Sequence, residues 1–333
     1  MEVAVVTGAS AGIGLAIAER FAKAGWTIAI LAREPERLRE ARTRLERAGG
    51  TVLDIPADVA DPEQVNAAAA RVIETFGRID AWINNAMTTV VAPADEITAE
   101  EYQQVTASTY LSQVYGTLAA LRQMRKQGCG AIVQVSSGLA FRSAPLQAAY
   151  CGAKAAVGGF TDSLRAELIA EKSRVTLSVV YLPGVNTPQP TWARNRTGHE
   201  QVIPDPLFDP RLCAEAVFSS VLDPQREVWV GRSTVMMALG QALAPSFADR
   251  QAAGMIEAQQ GDPMPPREGN LAEPAAGPAR IDGPRVGDVV GSPSEYVTSR
   301  DVRTFKLACA GGLLFAGAAL RGLLRNAAAR RIR

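Results

Sequence analysis

The stretch VAVVTGASAGIGLAIA (3–18) decides the fold. Residues 3–6 are a short apolar run that reads as a buried strand, and Leu15, Ala18, Phe21 and Ala22 follow at helical spacing. Between them three glycines, Gly8, Gly12 and Gly14, stand as G-x-x-x-G-x-G. A strand that turns through glycines into a helix offers free backbone N–H groups and the positive end of the helix dipole. Without Cβ atoms in the way, a pyrophosphate can approach that backbone closely. The spacing departs from the commoner G-x-G-x-x-G fingerprint, but the strand–turn–helix context is the one that fingerprint needs. The turn therefore nominates Thr7, Gly8, Ser10, Gly12, Ile13 and Gly14 as dinucleotide-binding residues.

Outward from this unit the pattern repeats. Apolar runs at 27–31, 51–55, 80–84, 131–135, 176–182 and 227–231 read as strands, with helical spacing between them. Strand, helix, strand repeated predicts right-handed crossovers and a doubly wound, Rossmann-like parallel α/β sheet over residues 1–255. Two long helices are expected near 99–127 and 147–171. Their small residues Ala119, Ala120, Ala155, Ala156, Gly158 and Gly159 predict a face for a second subunit, hence a homo-oligomer.

At the end of the second strand NAD sites usually keep an acid for the ribose hydroxyl. This chain has Arg33, nineteen residues after Gly14. A guanidinium there suits a 2′-phosphate, which favours NADP, with NAD as the alternative.

YCGAK (150–154) puts Tyr150 one helical turn before Lys154, and Ser137 ends the fifth strand thirteen residues earlier. With TGASAGIG, Asp58–Val59 and NNA at 84–86, these motifs resemble the short-chain dehydrogenase/reductase family in its single-domain form, over roughly residues 2–235. The resemblance implies carbonyl–alcohol interconversion. Tyr150 would be the general acid/base, its phenol lowered by the Lys154 ammonium, and Ser137 a donor to the substrate oxygen. It also implies that Lys154 bonds the nicotinamide ribose, that Asp58 and Val59 contact adenine, and that Asn84 and Ala86 take the adenosine side. Pro183, Gly184 and Thr187 of PGVNTP (183–188) would hold the nicotinamide. Departures mark a divergent branch with a C-terminal extension. Thr109 stands where the family has a relay Asn, Met87 replaces a Gly, and the PGVNTP loop is one residue short. The alternative reading is a catalytically weak NADP-binding regulatory or scaffold protein.

Met87, Leu139, Leu146 and Trp192 predict a mainly apolar substrate pocket. Residues 256–300 hold seven Pro and six Gly and read as a linker or surface extension. Residues 301–333 read as an apolar, basic helix, either a membrane-surface anchor or a helix docked on the domain or on a second subunit, with eight basic and one acidic side chain over 300–333. The net charge of +1 excludes a nucleic-acid partner, and four scattered cysteines with a single His exclude a zinc site. A strand beginning at residue 3 predicts no secretory leader, hence a cytoplasmic location, at the inner membrane face if the tail binds lipid. Only five of the 35 basic residues are lysines, which points to a GC-rich bacterial coding bias.

Overall fold

The computed structural model describes residues 2–285, 289–291 and 296–301. Among them eight strands form one sheet, in the order β8-β7-β6-β5-β4-β1-β2-β3. They are β1 (Val3–Thr7), β2 (Thr27–Ala32), β3 (Thr51–Pro56), β4 (Ala81–Asn84), β5 (Gly130–Ser137), β6 (Val175–Leu182), β7 (Glu227–Val230) and β8 (Tyr296–Thr298). The first seven pair in parallel, and β8 closes one edge antiparallel to β7, with Trp229 opposite Val297. The strand order reverses direction between β1 and β4, the point where ligand crevices open at the carboxyl ends of such sheets.

Helices start and stop where local chemistry provides for it. Asp61 accepts from the N–H groups of Glu63 and Gln64 and precedes Pro62 at the start of α3 (Pro62–Phe76). Gly77, in the left-handed region, ends that helix. Thr98 and Glu101 form a capping box for α4 (Ala99–Thr106), which runs through a π turn (Ala107–Leu111) into α5 (Ser112–Gln127). The other main helices are α1 (Gly12–Lys23), α2 (Pro35–Arg47) and α6 (Ala148–Ala170). A short turn, α7 (Gln189–Trp192), and α8 (Pro210–Leu222) follow.

Each sheet face buries its own core. On one side α1 and α8 pack, with Phe21 edge-on to Phe218 at 5.0 Å and buried Leu15, Ile17 and Val217 around them. On the other side lie α3 and α5, together with Leu164 and Leu168 of α6. Ala119 and Ala120 belong to this second core, at 4% and 0% exposure, so these two side chains face inward and not toward a second subunit as expected. On α6 the small residues Gly152, Ala155 and Gly159 do face outward.

The 256–285 segment is not loose. It runs back over the carboxyl ends of the strands, where Arg267 exchanges backbone hydrogen bonds with Asn195. Two of its apolar side chains, Leu271 and Ile281, are 4% and 1% exposed. Among the described residues no helix is long and apolar enough to cross a membrane. The expected membrane-contacting tail lies, from residue 302 on, outside the described residues.

Candidate active site

The glycine turn lies where the sequence puts it. Gly8 has φ +67°, and a Cβ there would stand 2.8 Å from the Ala86 Cα. A Cβ on Gly14 would stand 2.2 Å from the Gly8 carbonyl oxygen. Both glycines are thus needed for the chain to meet itself, before any ligand is considered. The resulting cleft is lined by Gly8, Ser10 and Gly12–Gly14, with Asp58, Val59 and Ala86 on the wall facing the turn.

Thr7 and Asn84 are not on that wall. The Thr7 hydroxyl accepts from the N–H groups of Asn85 and Ala86, at 2.9 and 3.1 Å, and so ties β1 to the end of β4. Asn84 is 1% exposed and points into the helix layer, where its amide donates to Gln134, Thr117 and the Gln113 carbonyl. Strand alternation explains this: if Asn84 faces the α5 side, its neighbour Asn85 faces the cleft. Asn85 is the residue the sequence reading missed.

Arg33 reaches the cleft, but three of its five N–H donors are already used. Its two terminal nitrogens donate to the carbonyl oxygens of Asn270, Leu271 and Ala272, at 2.6, 3.2 and 2.9 Å. Arg37, one turn into α2 and 6% exposed, donates to Ser10 and to the carbonyl of Ala275, and its guanidinium stacks on Trp192 at 4.7 Å. Trp192, expected in the substrate pocket, therefore lines the glycine-turn cleft and not the cavity that holds Tyr150. Arg37 stands in register with Ala41 and Leu45 on the apolar stripe of α2, and that position was the available sequence signal.

A second cavity adjoins the first. The two share Ile13, Asn85, Met87, Thr187 and Gln189. Ser137, Tyr150 and Lys154 all line the second one, together with Leu139, Pro183 and Gly184. Ser137 closes β5 and caps the following turn by accepting from the Leu139 N–H at 3.1 Å. Lys154, 2% exposed, donates from Nζ to the Val135 carbonyl at 2.7 Å. Leu146 does not line this cavity; it takes a left-handed φ of +66° and offers its carbonyl to the Ala92 N–H.

The electrostatics reverse the expectation for Tyr150. Desolvation pushes its phenol well above the usual value, against a hydrogen bond with Ser137 that works the other way. Desolvation also pulls Lys154 down to about 7. A dry cleft penalises both charged forms, so the ammonium expected to acidify the phenol is itself poorly held. Thr109 takes no part in a relay. It is 0% exposed, its hydroxyl donates to the Thr88 carbonyl at 2.8 Å and accepts from the Thr88 N–H, and it has no further proton to give.

The site fits a dinucleotide on the structure's own terms. Two buried polar atoms beside the glycine turn, Gln189 Nε2 and Asn270 Oδ1, have no hydrogen-bond partner.

A family model for short chain dehydrogenase matches residues 2–196. The uncharacterized oxidoreductase YxnA of Bacillus subtilis (strain 168) is 32% identical over 256 residues, 75% of this chain and 70% of that protein. L-sorbose reductase from Gluconobacter frateurii, solved with NADPH and L-sorbose, is 36% identical with a TM-score of 0.54, over 56% of this chain and 71% of that one. An alcohol dehydrogenase from the archaeon Thermococcus sibiricus, solved with 5-hydroxy-NADP, is 25% identical with a TM-score of 0.59, over 69% and 96% of the two chains. The glycine turn, the strand order and a family match over more than half of its length agree: this chain belongs to the short chain dehydrogenase family.

Proposed function

We propose that the protein is an NAD(P)-dependent oxidoreductase that interconverts a carbonyl and an alcohol, with Tyr150 as the proton donor and acceptor. One observation carries this reading: Ser137, Tyr150 and Lys154 line a single cavity that opens onto the glycine-turn cleft. Gly8, Ser10, Gly12–Gly14, Asp58, Val59 and Ala86 would hold the dinucleotide, with Pro183, Gly184 and Thr187 at the reactive end. When bound, the dinucleotide supplies or accepts the hydride.

The protein's own part is proton handling and polarisation. The Ser137 hydroxyl, placed at a strand end, donates to the substrate oxygen as charge develops there. The Tyr150 phenol, kept neutral by its dry surroundings, delivers the proton in the reductive direction. Lys154 lies one helical turn from Tyr150, with its amine pulled down to about 7 by desolvation. A raised phenol means that at pH 7 the donor for reduction arrives protonated.

NADP remains the preferred cofactor in this reading. Two guanidiniums, Arg33 and Arg37, line the adenosine end of the cleft, and both solved relatives named above are complexed with an NADP-type ligand. The reactive cavity is walled by Met87, Leu139, Val202, Ile203, Met237 and Met255, which suits an apolar carbonyl or alcohol. Assembly as a homo-oligomer through the open face of α6 is part of the same reading, and sedimentation velocity tests it.

The second reading, a nucleotide-binding protein without turnover, is favoured by the use of the Arg33 donors within the chain. A panel of ketones, aldehydes and alcohols, followed by the absorbance of reduced cofactor, separates the two. Turnover lowered by about 10²–10⁴-fold in Tyr150→Phe is the result expected. Nucleotide binding without turnover on any member of the panel gives the second reading.

A further inference from the structure

Residues 270–283 lie along the nucleotide cleft and present it with a row of carbonyl oxygens. Asn270, Leu271 and Ala272 take the donors of Arg33; Ala275, at 2.5 Å, and Gly277, at 3.5 Å, take Arg37. Arg280 accepts from the backbone N–H of Gly12 at 2.9 Å, at the start of the helix that follows the glycine turn. These are the groups that a phosphorylated dinucleotide needs: guanidiniums for the ribose phosphate and helix-terminal N–H groups for the pyrophosphate. A carbonyl oxygen carries partial negative charge, so each one acts as a phosphate substitute.

The segment is built to sit there. Ile281 is 1% exposed and enters the core of α1 and α8, and Leu271 is 4% exposed. Asp282 makes two bonds to Arg211, at 2.7 and 2.9 Å. The Ala279 N–H donates to Glu40, and the Gly283 N–H donates to the Asn186 carbonyl at 3.1 Å. Gly283 passes so close to the PGVNTP loop that a Cβ would stand 2.5 Å from Asn186 Oδ1 and 2.6 Å from the Thr187 carbonyl oxygen. The strap thus bridges both lips of the cleft, the glycine turn on one side and residues 186–187 on the other.

We propose that residues 270–283 form an internal competitor for the dinucleotide, a strap whose carbonyl oxygens hold the phosphate-binding donors until NADP(H) displaces them. The proposal rests on the dinucleotide-site reading given above. Because strap and phosphates share donors, their binding is mutually exclusive, and each weakens the other by the same factor. NAD(H), which has no 2′-phosphate, has less need of Arg33. The strap therefore opposes NADP(H) more than NAD(H), and so sets cofactor choice together with Arg33.

The test uses the full chain, with Ile281→Ala to loosen the strap's anchor and Gly283→Ala to collide with the opposite lip. Titration calorimetry with NADP+ and with NAD+ is expected to show NADP+ bound at least tenfold more tightly by either variant than by the wild type, and NAD+ gaining severalfold less, since it needs the freed Gly12 N–H but not Arg33. In the wild type, NADP+ is expected to speed amide hydrogen exchange at Ala279 and Gly283. Unchanged or weaker NADP+ binding in both variants, or slower exchange at those two amides, would make the strap a wall of the site and overturn the proposal. Equal gains for both dinucleotides overturn its role in cofactor choice. Absence of binding in wild type and variants alike sinks the dinucleotide-site reading itself, and the strap proposal with it.

Discussion

Lys154 Nζ stands 5.8 Å from the centre of the Tyr150 ring, and its hydrogen bond goes to the Val135 carbonyl. The pair is therefore close enough to couple, but the ammonium is not bonded to the phenol it is meant to serve. In the free protein Lys154 is a liability. Its value of about 7 lies far below the ordinary ~10.4 for lysine. Between those two values the unfolded chain binds a proton that the folded chain does not, so stability rises with pH across that window. Below pH 7 the whole cost of burying the ammonium is present. Lys154→Met is expected to stabilise the cofactor-free protein by on the order of 3 kcal/mol at pH 6, and by progressively less toward pH 10. The Val135 carbonyl keeps its second donor, Gln113 Nε2 at 3.1 Å, so no acceptor is orphaned. Urea unfolding at pH 6, 8 and 10 measures this. Equal stability of wild type and variant at pH 6 would refute it.

Tyr150 gives a directional prediction. Its phenol is held neutral, so reduction requires no prior protonation, whereas oxidation requires loss of the phenolic proton. With a substrate found by the panel, kcat/KM for oxidation is expected to climb steadily from pH 6 to 9 while that for reduction stays nearly level. Tyr150→Phe is expected to lower both by about 10²–10⁴-fold, the range for a positioned acid/base group, with dinucleotide affinity little changed. Ser137→Ala should lower kcat by about 10²-fold without moving the pH profile, since a donor that polarises does not titrate. A level oxidation profile, or a Tyr150→Phe variant with wild-type rates, contradicts the assignment.

The sheet was legible because its central strands, β1, β2, β4, β5 and β6, are buried on both faces and so read as mostly apolar runs, and because Gly8 and Gly14 are required by the backbone itself. The trio was legible because Tyr150 and Lys154 share one helical turn, a relationship that spacing alone defines. What spacing does not carry is which face of a strand end points where. Asn84 and Asn85 are identical side chains one residue apart, and only the pleat separates a structural network from a cleft residue. The strap was illegible for a different reason. Its hold on the cleft is made by backbone carbonyls, which every residue has, and by two apolar anchors, Leu271 and Ile281, ten positions apart with no period. Trp192 reads as a pocket residue until Arg37 and Arg280 are seen near its ring.

Glycines of opposite kind make a paired prediction. Gly14→Ala forces a Cβ to 2.2 Å from the Gly8 carbonyl and 2.5 Å from Asn85 Nδ2, neither of which can yield without moving the turn. It is expected to cost about 1–3 kcal/mol and to abolish dinucleotide binding. Gly159→Ala, in the interior of α6, meets nothing within 4 Å. Helix propensity alone should then stabilise by about 0.8–1 kcal/mol, a rise of about 2 °C in Tm for a chain of this size. Destabilisation by Gly159→Ala, with loss of a larger species in sedimentation velocity, would show that a second copy covers this face.

Glu101 supplies the last prediction. It is 3% exposed at the start of α4 and bonded at 2.8 Å to Arg194 and at 2.5 and 2.9 Å to Arg196, which lead into the loop over the reactive cavity. Burial works to raise its carboxyl, but the Thr98 N–H and the two guanidiniums outweigh that and hold it below its ordinary value. A depressed carboxyl adds stability that is complete above the unfolded value of about 4.3 and is lost as pH falls through the folded value. Glu101→Gln leaves two guanidiniums facing a neutral amide and weakens the capping box. The expected loss at pH 7 is about 2–4 kcal/mol, toward the lower part of the range for a broken buried pair because Arg196 keeps some contact with water. The difference should shrink as pH falls below about 4, since both proteins then carry an uncharged group at this position. Equal acid limbs for the two proteins in thermal unfolding from pH 7 to 3 would show that the ion cluster does not hold α4 to residues 194–196.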